Sequence, residues 1–478
     1  PANEPIVIAE SALLMLEREW TKLPEPSTIT AVLEPGGVVT AGAQWQVGGN
    51  SYNSGEVVIV SAGTYTVGFD AVDGFLAPSD VSVSTDGASV VVTGRYHRVE
   101  FMETSGTGLG DLNMPRGIDV AGRYVYVADT DNDRILRYDQ VTELWTLLGG
   151  PGQGVGQFDQ PFGVAVAPNG DVWVADTGNH RVQRLSKTGN EWSLFGGFGR
   201  SVGQFNGPYG IAVDSSDYVF VADYHNSRVQ KRAPNGVWSV AIASGASDGY
   251  VRFPSGLGTR SDGLLYVSDY NPSAAAGQPS VRIQSFGLDG AFVSVIGSSD
   301  ASLGSLGRPR GICTTPELDI LVADSTLSRV KALPASGTWA DRVGAGVLSM
   351  PHDVDSDLWG NVFIADSGND RILMLPIEDT DLDRIPDAAE AGYGTSPTVA
   401  DTDFDGFSDG VEILGGSDPL DWFSVPYVQV SGMPPVEAII SEAQDFDGDG
   451  VADVATYDGV AAVFHVIGAN ARYIDQGW

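Results

Sequence analysis

Short apolar segments alternate with turns rich in Gly, Asn and Asp through the middle of the chain, and they repeat with a nearly regular period. The phrase Val-Ala-Asp, or a close variant of it, occurs six times. Its aspartates stand 42 to 55 residues apart, at Asp129, Asp176, Asp223, Asp269, Asp324 and Asp366. The longest step contains an insertion at 272–280 that is rich in Ala, Ser, Gly and Pro. A period of this length indicates a repeat architecture with one supersecondary unit per copy.

Each copy has the pattern of four short strands separated by turn residues. In the second copy the predicted strands are Gly163–Val166, Asp171–Ala175, Arg181–Leu185 and Trp192–Phe195. One such sheet cannot bury both of its faces, whereas six sheets packed face to face around an axis can. The repeats therefore predict a mainly β protein built around a six-bladed β-propeller, in which a blade is one four-stranded sheet.

The segment Asp171-Val-Trp-Val-Ala-Asp-Thr-Gly-Asn-His-Arg-Val-Gln-Arg184 resembles an NHL repeat, and the resemblance extends over about 106–375. It implies a six-bladed propeller, in agreement with the strand pattern. In most copies an arginine follows the aspartate by five residues, and in the fourth copy the insertion delays it. These arginines are Arg134, Arg181, Arg228, Arg282, Arg329 and Arg371. We interpret the Asp/Arg pairs as structural, because a strand-ending carboxylate can accept turn N–H groups and pair with the guanidinium.

The last repeat ends its third strand at Arg371–Leu375 and then enters an acidic segment, so it has no fourth strand of its own. The strand-like run 96–102 precedes the first repeat and belongs to no copy. We predict that 96–102 supplies the outer strand of the last blade, because this pairing removes an open seam from the ring. The propeller would then span 96–376.

The region before the propeller divides into two parts. In 27–95, the segments Ala43–Val47, Gly63–Val67 and Asp73–Phe75 resemble PEGA-type, Ig-like modules of bacterial surface proteins, which implies a β-sandwich spacer. Residues 1–26 contain an amphipathic pattern typical of a short helix at 12–20, with Ser11 as its cap. We expect this helix to pack either on the adjacent β module or on a neighbouring subunit.

The chain is strongly acidic. Its 478 residues include 62 Asp or Glu and 26 Lys or Arg, for a formal net charge of -36. This charge argues against nucleic-acid and anionic-membrane partners, which require a basic surface. No apolar run is long enough to cross a bilayer, so we expect no membrane insertion. The charge is concentrated between Glu378 and Asp458, where 20 acidic residues accompany one basic residue, Arg384.

One loop of this acidic region has the ligand spacing of a calcium site. Acidic residues occupy positions 1, 3, 5, 9 and 12, Gly406 occupies position 6, and the carbonyl of Phe407 is at position 7. The acidic residues are Asp401, Asp403, Asp405, Asp409 and Glu412. Because these carboxylates would repel one another without a cation, the spacing predicts bound calcium.

A preceding loop at 379–390 repeats this spacing, with the carbonyl of Ile385 at position 7. Its acidic residues are Asp379, Asp381, Asp383, Asp387 and Glu390. Arg384 replaces the expected glycine, which predicts a weaker or distorted site, because position 6 requires a sharp turn. With Thr-Ser-Pro at 395–397 and Ser-Asp-Pro at 417–419, the region 377–421 resembles bacterial thrombospondin type 3 repeats. This resemblance implies calcium, a calcium-stiffened arm and carboxylates that two loops can share.

A third acidic loop resembles the FG-GAP calcium loop, because it is followed by a strand. Its predicted ligands are Asp445, Asp447, Asp449, Val451 and Asp453. We interpret 422–444 as a linker and 445–478 as a small C-terminal module with strands at 454–457, 461–467 and 471–478. Together the three loops predict two to three or more calcium ions.

Five copies open with a Pro-x-Gly turn and the sixth with Pro-His-Asp at 351–353, and each of these turns places one side chain at the same end of the propeller channel. These side chains belong to Arg116, Phe162, Tyr209, Ser255, Arg310 and His352. Two arginines, a histidine and two aromatic rings can hold an anionic or sugar-like ligand, although a solvated mouth with mixed residues is the simpler interpretation. Some NHL-like propellers are zinc lyases, but a zinc site of that kind needs about three histidines, and only His352 is expected at this end.

These patterns predict a non-enzymatic, extracellular protein of a bacterial cell surface that binds calcium. Its propeller would be an interaction platform, either in a monomeric adhesin or in a self-assembling subunit of a surface filament or layer. A protein partner, another copy of the chain or a surface glycan would bind it. The alternatives are a propeller enzyme of the zinc-lyase or hydrolase type and a carbohydrate-binding module at the mouth.

Overall fold

The structure is a computed structural model that describes most of the chain between Ser27 and Gly477. The described residues are 27–34, 36–70, 72, 75–77, 80–86, 89–95, 97–98, 100–102, 106–188, 191–271, 280–300, 304–335, 337–344, 346–377, 379–381, 383–426, 454–458, 463–467 and 473–477. The chain forms two compact units, Pro1–Val99 and Glu100–Trp478. None of the helices in the described part is both long enough and apolar enough to cross a membrane. The predicted N-terminal helix at 12–20 and the third acidic loop at 445–453 lie outside the described residues.

The first unit is a small β-sandwich. Its elements are β1 (Ser27–Glu34), α1 (Gly36–Thr40), β2 (Trp45–Val47), β3 (Asn50–Tyr52), β4 (Val57–Val60), β5 (Gly63–Phe69), β6 (Phe75–Leu76), β7 (Val81–Thr85), β8 (Ser89–Arg95) and β9 (His97–Arg98). One sheet has the order β4-β1-β8 and the other β3-β2-β5-β7. Ile29 of the first sheet and Trp45 and Val67 of the second belong to one buried cluster, so the two sheets share a core.

The second unit contains six sheets that follow the six sequence repeats, and a seventh, three-stranded sheet near the C-terminal end. The seventh sheet consists of Val454–Asp458, Val463–Ile467 and Tyr473–Gly477, close to the strands predicted there. The first five have the strands β11 (Pro115–Ala121), β12 (Tyr124–Asp129), β13 (Arg134–Asp139), β14 (Leu144–Pro151), β15 (Gln157–Phe158); β16 (Pro161–Val166), β17 (Val172–Asp176), β18 (Arg181–Leu185), β19 (Trp192–Gly196); β20 (Pro208–Val213), β21 (Val219–Asp223), β22 (Arg228–Arg232), β23 (Trp238–Ile242); β24 (Pro254–Thr259), β25 (Leu264–Tyr270), β26 (Val281–Gly287), β27 (Phe292–Ser298); and β28 (Pro309–Thr314), β29 (Ile320–Asp324), β30 (Arg329–Leu333), β31 (Ala340–Val343). The sixth consists of β32 (Asp353–Ser356), β33 (Val362–Asp366), β34 (Arg371–Leu375) and β10 (Glu100–Met102).

The six sheets close into a ring, which confirms the predicted six-bladed propeller. The innermost strands contact one another in the cyclic order β11, β16, β20, β24, β28, β32 and back to β11. Five buried apolar clusters each draw on two adjacent blades. One of them joins Ile118 and Leu136 of the first blade to Phe363 and Ile372 of the sixth.

The glycine of the Pro-x-Gly turn is explained by the close approach of neighbouring inner strands. A Cβ atom at Gly163 would lie 2.6 Å from the carbonyl oxygen of Tyr209 in the next blade. The sixth blade has Asp353 at the equivalent position. Its Oδ2 accepts the N–H of Ile118 at 3.1 Å, and Oδ2 of Asp355 accepts the N–H of Val120 at 2.7 Å. These two hydrogen bonds join the last blade to the first.

The strand predicted over 96–102 is divided between two sheets. Glu100–Met102 pairs antiparallel with β34 and is the outermost strand of the sixth blade. His97–Arg98 instead pairs with Phe75–Leu76 in the first unit. The prediction of one continuous strand is therefore wrong in its first half, because the backbone hydrogen bonds of 97–98 are made within the first unit. The division between the two units falls after Val99, four residues beyond the predicted end of the β module at 95.

The Asp/Arg pairs form in five of the six blades. In the second blade Nε of Arg181 donates to Oδ2 of Asp176 at 2.6 Å, and its other nitrogens donate to the carbonyls of Gln153 and Gly154. The pair thus ties the loop between two blades to the turn after the second strand. Asp176 itself is fully buried.

The predicted pair in the fifth blade is not formed. Arg329 lies 3.3 Å from Oδ2 of Asp341, whereas Asp324 accepts the backbone N–H groups of Gly307, Arg308 and Leu327. Four other copies have an asparagine three residues after the aspartate, and this copy has Leu327. We attribute the difference to the lost amide donor, because the backbone N–H of Leu327 takes the place of that side chain at the carboxylate.

Replacing Arg181 by alanine is expected to destabilise the propeller by about 3–5 kcal/mol, because the change leaves the buried carboxylate of Asp176 without its charge partner. Urea denaturation of the full chain measures this loss. Arg200→Ala is the matched control, since Arg200 is an exposed arginine of the following loop. Equal denaturation midpoints for the two variants would contradict the structural role of the pair.

Candidate functional site

The two acidic loops within the described residues have the same local structure. Each loop is followed by a two-turn helix, α2 (Asp387–Tyr393) or α3 (Asp409–Gly415). The first residue of each helix reaches back into its loop. Asp387 accepts the N–H of Thr380 at 2.7 Å, and Asp409 accepts the N–H of Thr402 at 2.8 Å. The repeated spacing in the sequence therefore corresponds to a repeated structure.

The loops bring carboxylate oxygens together in three groups, each with its oxygens within 4.8 Å of one another. The groups are Asp379, Asp381 and Asp383; Asp401, Asp403 and Asp405; and Asp383, Glu390 and Asp409. The third group combines residues of both loops, and Asp383 is common to two groups. It also accepts the N–H of Gly410 at 3.2 Å, so the first loop contacts the start of α3 directly.

Several carboxylate oxygens of the two loops, including one of Glu412 outside the three groups, are buried without a hydrogen-bond partner among the described residues. Both carboxylate oxygens of Glu390 and of Asp381 are of this kind, together with one oxygen each of Asp403, Asp405 and Glu412. Glu390 and Glu412 are 0% exposed. Burying an ionised carboxylate without partners costs roughly several kcal/mol of free energy, unless a cation compensates its charge. Six to eight oxygen ligands at short range are what Ca²⁺ prefers, so the donor set fits calcium.

Burial and mutual repulsion raise the pKa of the same carboxyl groups. The pKa of Glu412 is raised to about 8 by burial and by the neighbouring Asp405 and Asp403. Burial and the adjacent aspartates raise the pKa of Glu390 to about 7 and that of Asp383 to about 7. A divalent cation among these oxygens would favour the ionised forms and release protons.

Two kinds of predicted ligand have other contacts in the structure. Both oxygens of Asp387 accept hydrogen bonds from Thr380, and Asp387 belongs to none of the three groups. Ile385 and Phe407 were predicted to contribute carbonyl oxygens. Their N–H groups donate to Asp383 and Asp405, at 2.7 and 2.8 Å, and the role of their carbonyls stays a prediction.

The structure explains why an arginine occupies the glycine position of the first loop. Arg384 has a φ of +85°, close to the +98° of Gly406, so both loops make the same turn. A side chain in this conformation is strained. Its guanidinium donates to the carbonyl of Gln140 and lies 3.2 Å from Oε1 of Glu143, in the turn between β13 and β14. The arginine therefore attaches the loop to the first blade, a role that the ligand spacing did not indicate.

The six residues predicted at the propeller mouth do line one cavity. Arg116, Phe162, Tyr209 and Arg310 contribute side chains from four blades, and Ser255 and His352 complete the ring. The ring of Phe162 stacks on Tyr209 with centroids 4.4 Å apart, and the guanidinium of Arg116 lies 4.5 Å from the Phe162 centroid. We use the term mouth for this end of the channel, where the inner strands begin.

Sequence reasoning missed two residues that lie beside the mouth without lining its cavity. Tyr224 stacks on Tyr209 with centroids 4.1 Å apart, and Arg308 lies 3.5 Å from the hydroxyl of Tyr224. Tyr224 follows the Val-Ala-Asp phrase, and Arg308 precedes Pro309. In the sequence, the arginines on both sides of Pro309 are the signal that could have placed Arg308 near the mouth.

The described histidines do not form a common metal cluster. Nδ1 of His352 lies 2.9 Å from the carbonyl oxygen of Met350, and burial together with Arg310 and Arg116 lowers the pKa of His352 to about 3. His180 accepts the N–H of Gly207, and His225 packs against Tyr224. Among the described residues, the groups with metal-ligand spacing contain only carboxylates.

Comparison with known proteins identifies repeats of a known family within the propeller and structures that resemble it at low sequence identity. The NHL repeat family matches residues 158–185 and 205–231. No curated protein matches the chain. Among solved structures, a streptogramin B lyase has 15% identity and a TM-score of 0.43, covering 58% of this chain and 96% of its own. A gluconolactonase from Xanthomonas campestris has 18% identity and a TM-score of 0.45, covering 59% and 89%. A Bacteroides thetaiotaomicron protein of unknown function has 15% identity and a TM-score of 0.45, covering 70% and 90%.

The channel below the mouth contains carboxyl groups with raised pKa values. Burial raises the pKa of Asp353 to about 8 and that of Asp355 to about 7, and both accept backbone N–H groups of the first blade. A raised carboxyl pKa means that the folded state binds more protons than the unfolded state. The stability contributed by Asp353 is therefore present below the pKa of the unfolded chain and is lost as pH rises towards 8.

Asp353→Asn is expected to make stability less dependent on pH, because an amide does not ionise and its oxygen can still accept the N–H of Ile118. Urea midpoints of both proteins between pH 5 and 9, in saturating calcium, measure the effect. The wild type should lose more stability than the variant as the pH rises. Parallel pH profiles would show that Asp353 is ionised in the folded protein throughout.

Proposed function

We propose that this chain is a calcium-binding, non-enzymatic protein of the extracellular bacterial surface, in which the propeller serves as an interaction or assembly platform. The observation that carries the proposal is the burial of Glu390 and Glu412 with unpartnered oxygens beside converging aspartates. Such an arrangement is stable with a divalent cation and unstable without one. Extracellular calcium modules typically bind with Kd values of about 10⁻⁴–10⁻³ M, which suits a calcium-rich exterior.

Contacts between the acidic region and the propeller support a mechanical role for the ion. Nε1 of Trp359 donates to the hydroxyl of Tyr393 at 3.1 Å, and Oδ1 of Asn361 accepts the N–H of Ile377 at 2.9 Å. Arg384 makes the third attachment, to the first blade. An ion that orders the first loop would therefore order a segment joined to both the first and the last blade, near the ring closure.

The sequence contains a single cysteine, Cys313, which is buried, so the chain cannot use an intrachain disulfide for external stability. Calcium is the stabilising agent that the donor set offers in its place. The propeller then supplies a rigid ring with two ends, and a rigid surface lowers the conformational entropy lost on binding. These features favour a platform that presents one end to a partner.

Calcium is expected to raise the melting temperature of the full chain. At 100 times Kd, one bound ion stabilises the folded state by about 2.7 kcal/mol. Thermal unfolding in 10 mM calcium and in excess chelator measures the difference. Glu390→Gln and Glu412→Gln should each reduce it, because each removes a charged ligand while preserving the shape of the side chain.

Glu191→Gln is the matched control for these variants, since Glu191 is an exposed acid of the propeller outside the acidic loops. It should retain the full calcium effect. Coincident melting curves of the wild-type protein in calcium and in chelator would refute calcium binding by the two loops.

The molecular mass in solution distinguishes a monomeric adhesin from a self-assembling subunit. In calcium, size-exclusion chromatography with light scattering should give either the 50.2 kDa of one chain, as expected for a monomeric adhesin, or a larger mass that chelator reduces. The second result would identify a self-assembling subunit.

A further inference from the structure

The propeller mouth concentrates positive charge in a chain whose acidic residues outnumber its basic ones by 62 to 26. Arg116 and Arg310 line the cavity, and Arg308 stands two residues before Arg310. Burial and the neighbouring Arg308 lower the pKa of Arg310 to about 10, so the guanidinium stays charged at neutral pH. The positive charges of these three guanidinium groups therefore repel one another in a space from which water is partly excluded.

Aromatic rings, rather than carboxylates, hold two of these three guanidinium groups. Arg116 lies over the face of Phe162, and Arg308 lies 5.0 Å from the ring centroid of Tyr270 and 3.5 Å from the hydroxyl of Tyr224. Stacking on a ring positions a guanidinium and leaves its N–H groups available to a ligand. The stacked rings of Phe162, Tyr209 and Tyr224 form the wall between the arginines.

Carboxylates that could neutralise the mouth are few among the described residues. Asp131 lies 3.9 Å from Arg116, beyond hydrogen-bond distance, and it is 37% exposed. Asp353 lines the base of the cavity, but burial raises its pKa to about 8 and its oxygens accept backbone N–H groups. No ion pair joins Arg310 to a carboxylate within the described part of the chain.

Three arginines of the Asp/Arg pairs differ from Arg310 in this respect. Arg134, Arg181 and Arg228 each pair with a fully buried aspartate and use their remaining nitrogens on loop carbonyls. Their charge is therefore compensated within the fold. Arg310 is half-buried as well, but among the described residues no carboxylate pairs with it, which is unfavourable unless a ligand supplies the negative charge.

We propose that the mouth binds the carboxylate group of a small organic acid between Arg116 and Arg310. A planar carboxylate matches the fork of a guanidinium and can accept two parallel hydrogen bonds from it. The cavity of about 40 Å³ has room for one carboxylate group rather than for a whole sugar ring or peptide. The remainder of the ligand would lie outside, against the aromatic wall. A sugar acid and an acidic amino acid share this chemistry.

This inference rests on the proposed function in one respect, namely that the propeller is a binding platform. It adds the chemical class that one end of the platform recognises. It does not depend on calcium, because the mouth and the acidic loops have no residue in common.

The test is a titration of the calcium-saturated full chain with D-glucuronate, N-acetyl-L-aspartate and D-glucose, monitored by isothermal calorimetry and saturation-transfer NMR. We expect at least one of the two acids to bind, and its affinity to fall as sodium chloride screens the charges. Binding of the sugar acid or of the amino acid identifies the source of the carboxylate. Glucose should bind at least about tenfold more weakly, because it carries no negative charge to pair with the guanidinium groups.

Arg310→Gln is expected to weaken binding of the acid by about tenfold or more, since it removes a charged donor from a buried site. Arg116→Gln is the second variant and decides the matter if Arg310→Gln does not fold. Arg342→Gln is the matched control, because Arg342 is exposed on the outer strand of the fifth blade. Melting curves in calcium show whether each variant is folded.

The proposal is overturned if neither acid binds to the wild-type protein, if glucose binds as tightly as glucuronate, or if both mouth variants bind like Arg342→Gln. None of these results affects the calcium-dependent melting temperature. Conversely, a chain without a calcium effect could still lose acid binding on Arg310→Gln. The two proposals therefore fail independently.

Discussion

Each blade of the propeller is apolar on both faces of its sheet, and this constraint determines the rest of the structure. Such a sheet is stable only with another sheet on either side, so the array must close on itself. The buried clusters accordingly belong to pairs of adjacent blades rather than to single blades. Closure also brings the inner strands so near to each other that a side chain at Gly163 would collide with the next blade. The Pro-x-Gly motif is thus a packing requirement of the ring.

Closure of the ring places one residue of every blade at the same mouth. The charged residues there have different surroundings from those of the Asp/Arg pairs. The Asp/Arg pairs hold the periphery of the ring with compensated charges. At the mouth, Arg116 and Arg310 stand among aromatic rings, and the carboxyl of Asp353 has a raised pKa. Arginines therefore stabilise the fold in the Asp/Arg pairs and are available to a ligand at the mouth.

The acidic loops show a similar separation between structure and chemistry. Asp387 stabilises its loop through Thr380, as Asp409 does through Thr402. The remaining carboxylates converge, and their burial together with the repulsion between them raises the pKa values of Asp383 and Glu412. Arg384 connects the first loop to the propeller at the cost of an unfavourable backbone conformation. Calcium binding and propeller rigidity are coupled through this contact in our proposal.

The sequence by itself determined the features that depend on short-range spacing. The period of the Val-Ala-Asp phrase predicted six sheets. The alternate acids at 379–383 and 401–405 predicted the carboxylates that converge within each loop, whereas the predicted ligands Asp387 and Glu412 join none of the three groups. Tertiary structure decided the features that depend on which distant segments meet. It divided 96–102 between two sheets and left Arg329 unpaired with Asp324. It also brought Asp383 close to Glu390 and Asp409, and it placed Arg308 and Tyr224 beside the mouth. Spacing along a chain specifies local turns and ligand order, but competition among backbone and charged partners is resolved only when the whole ring has closed.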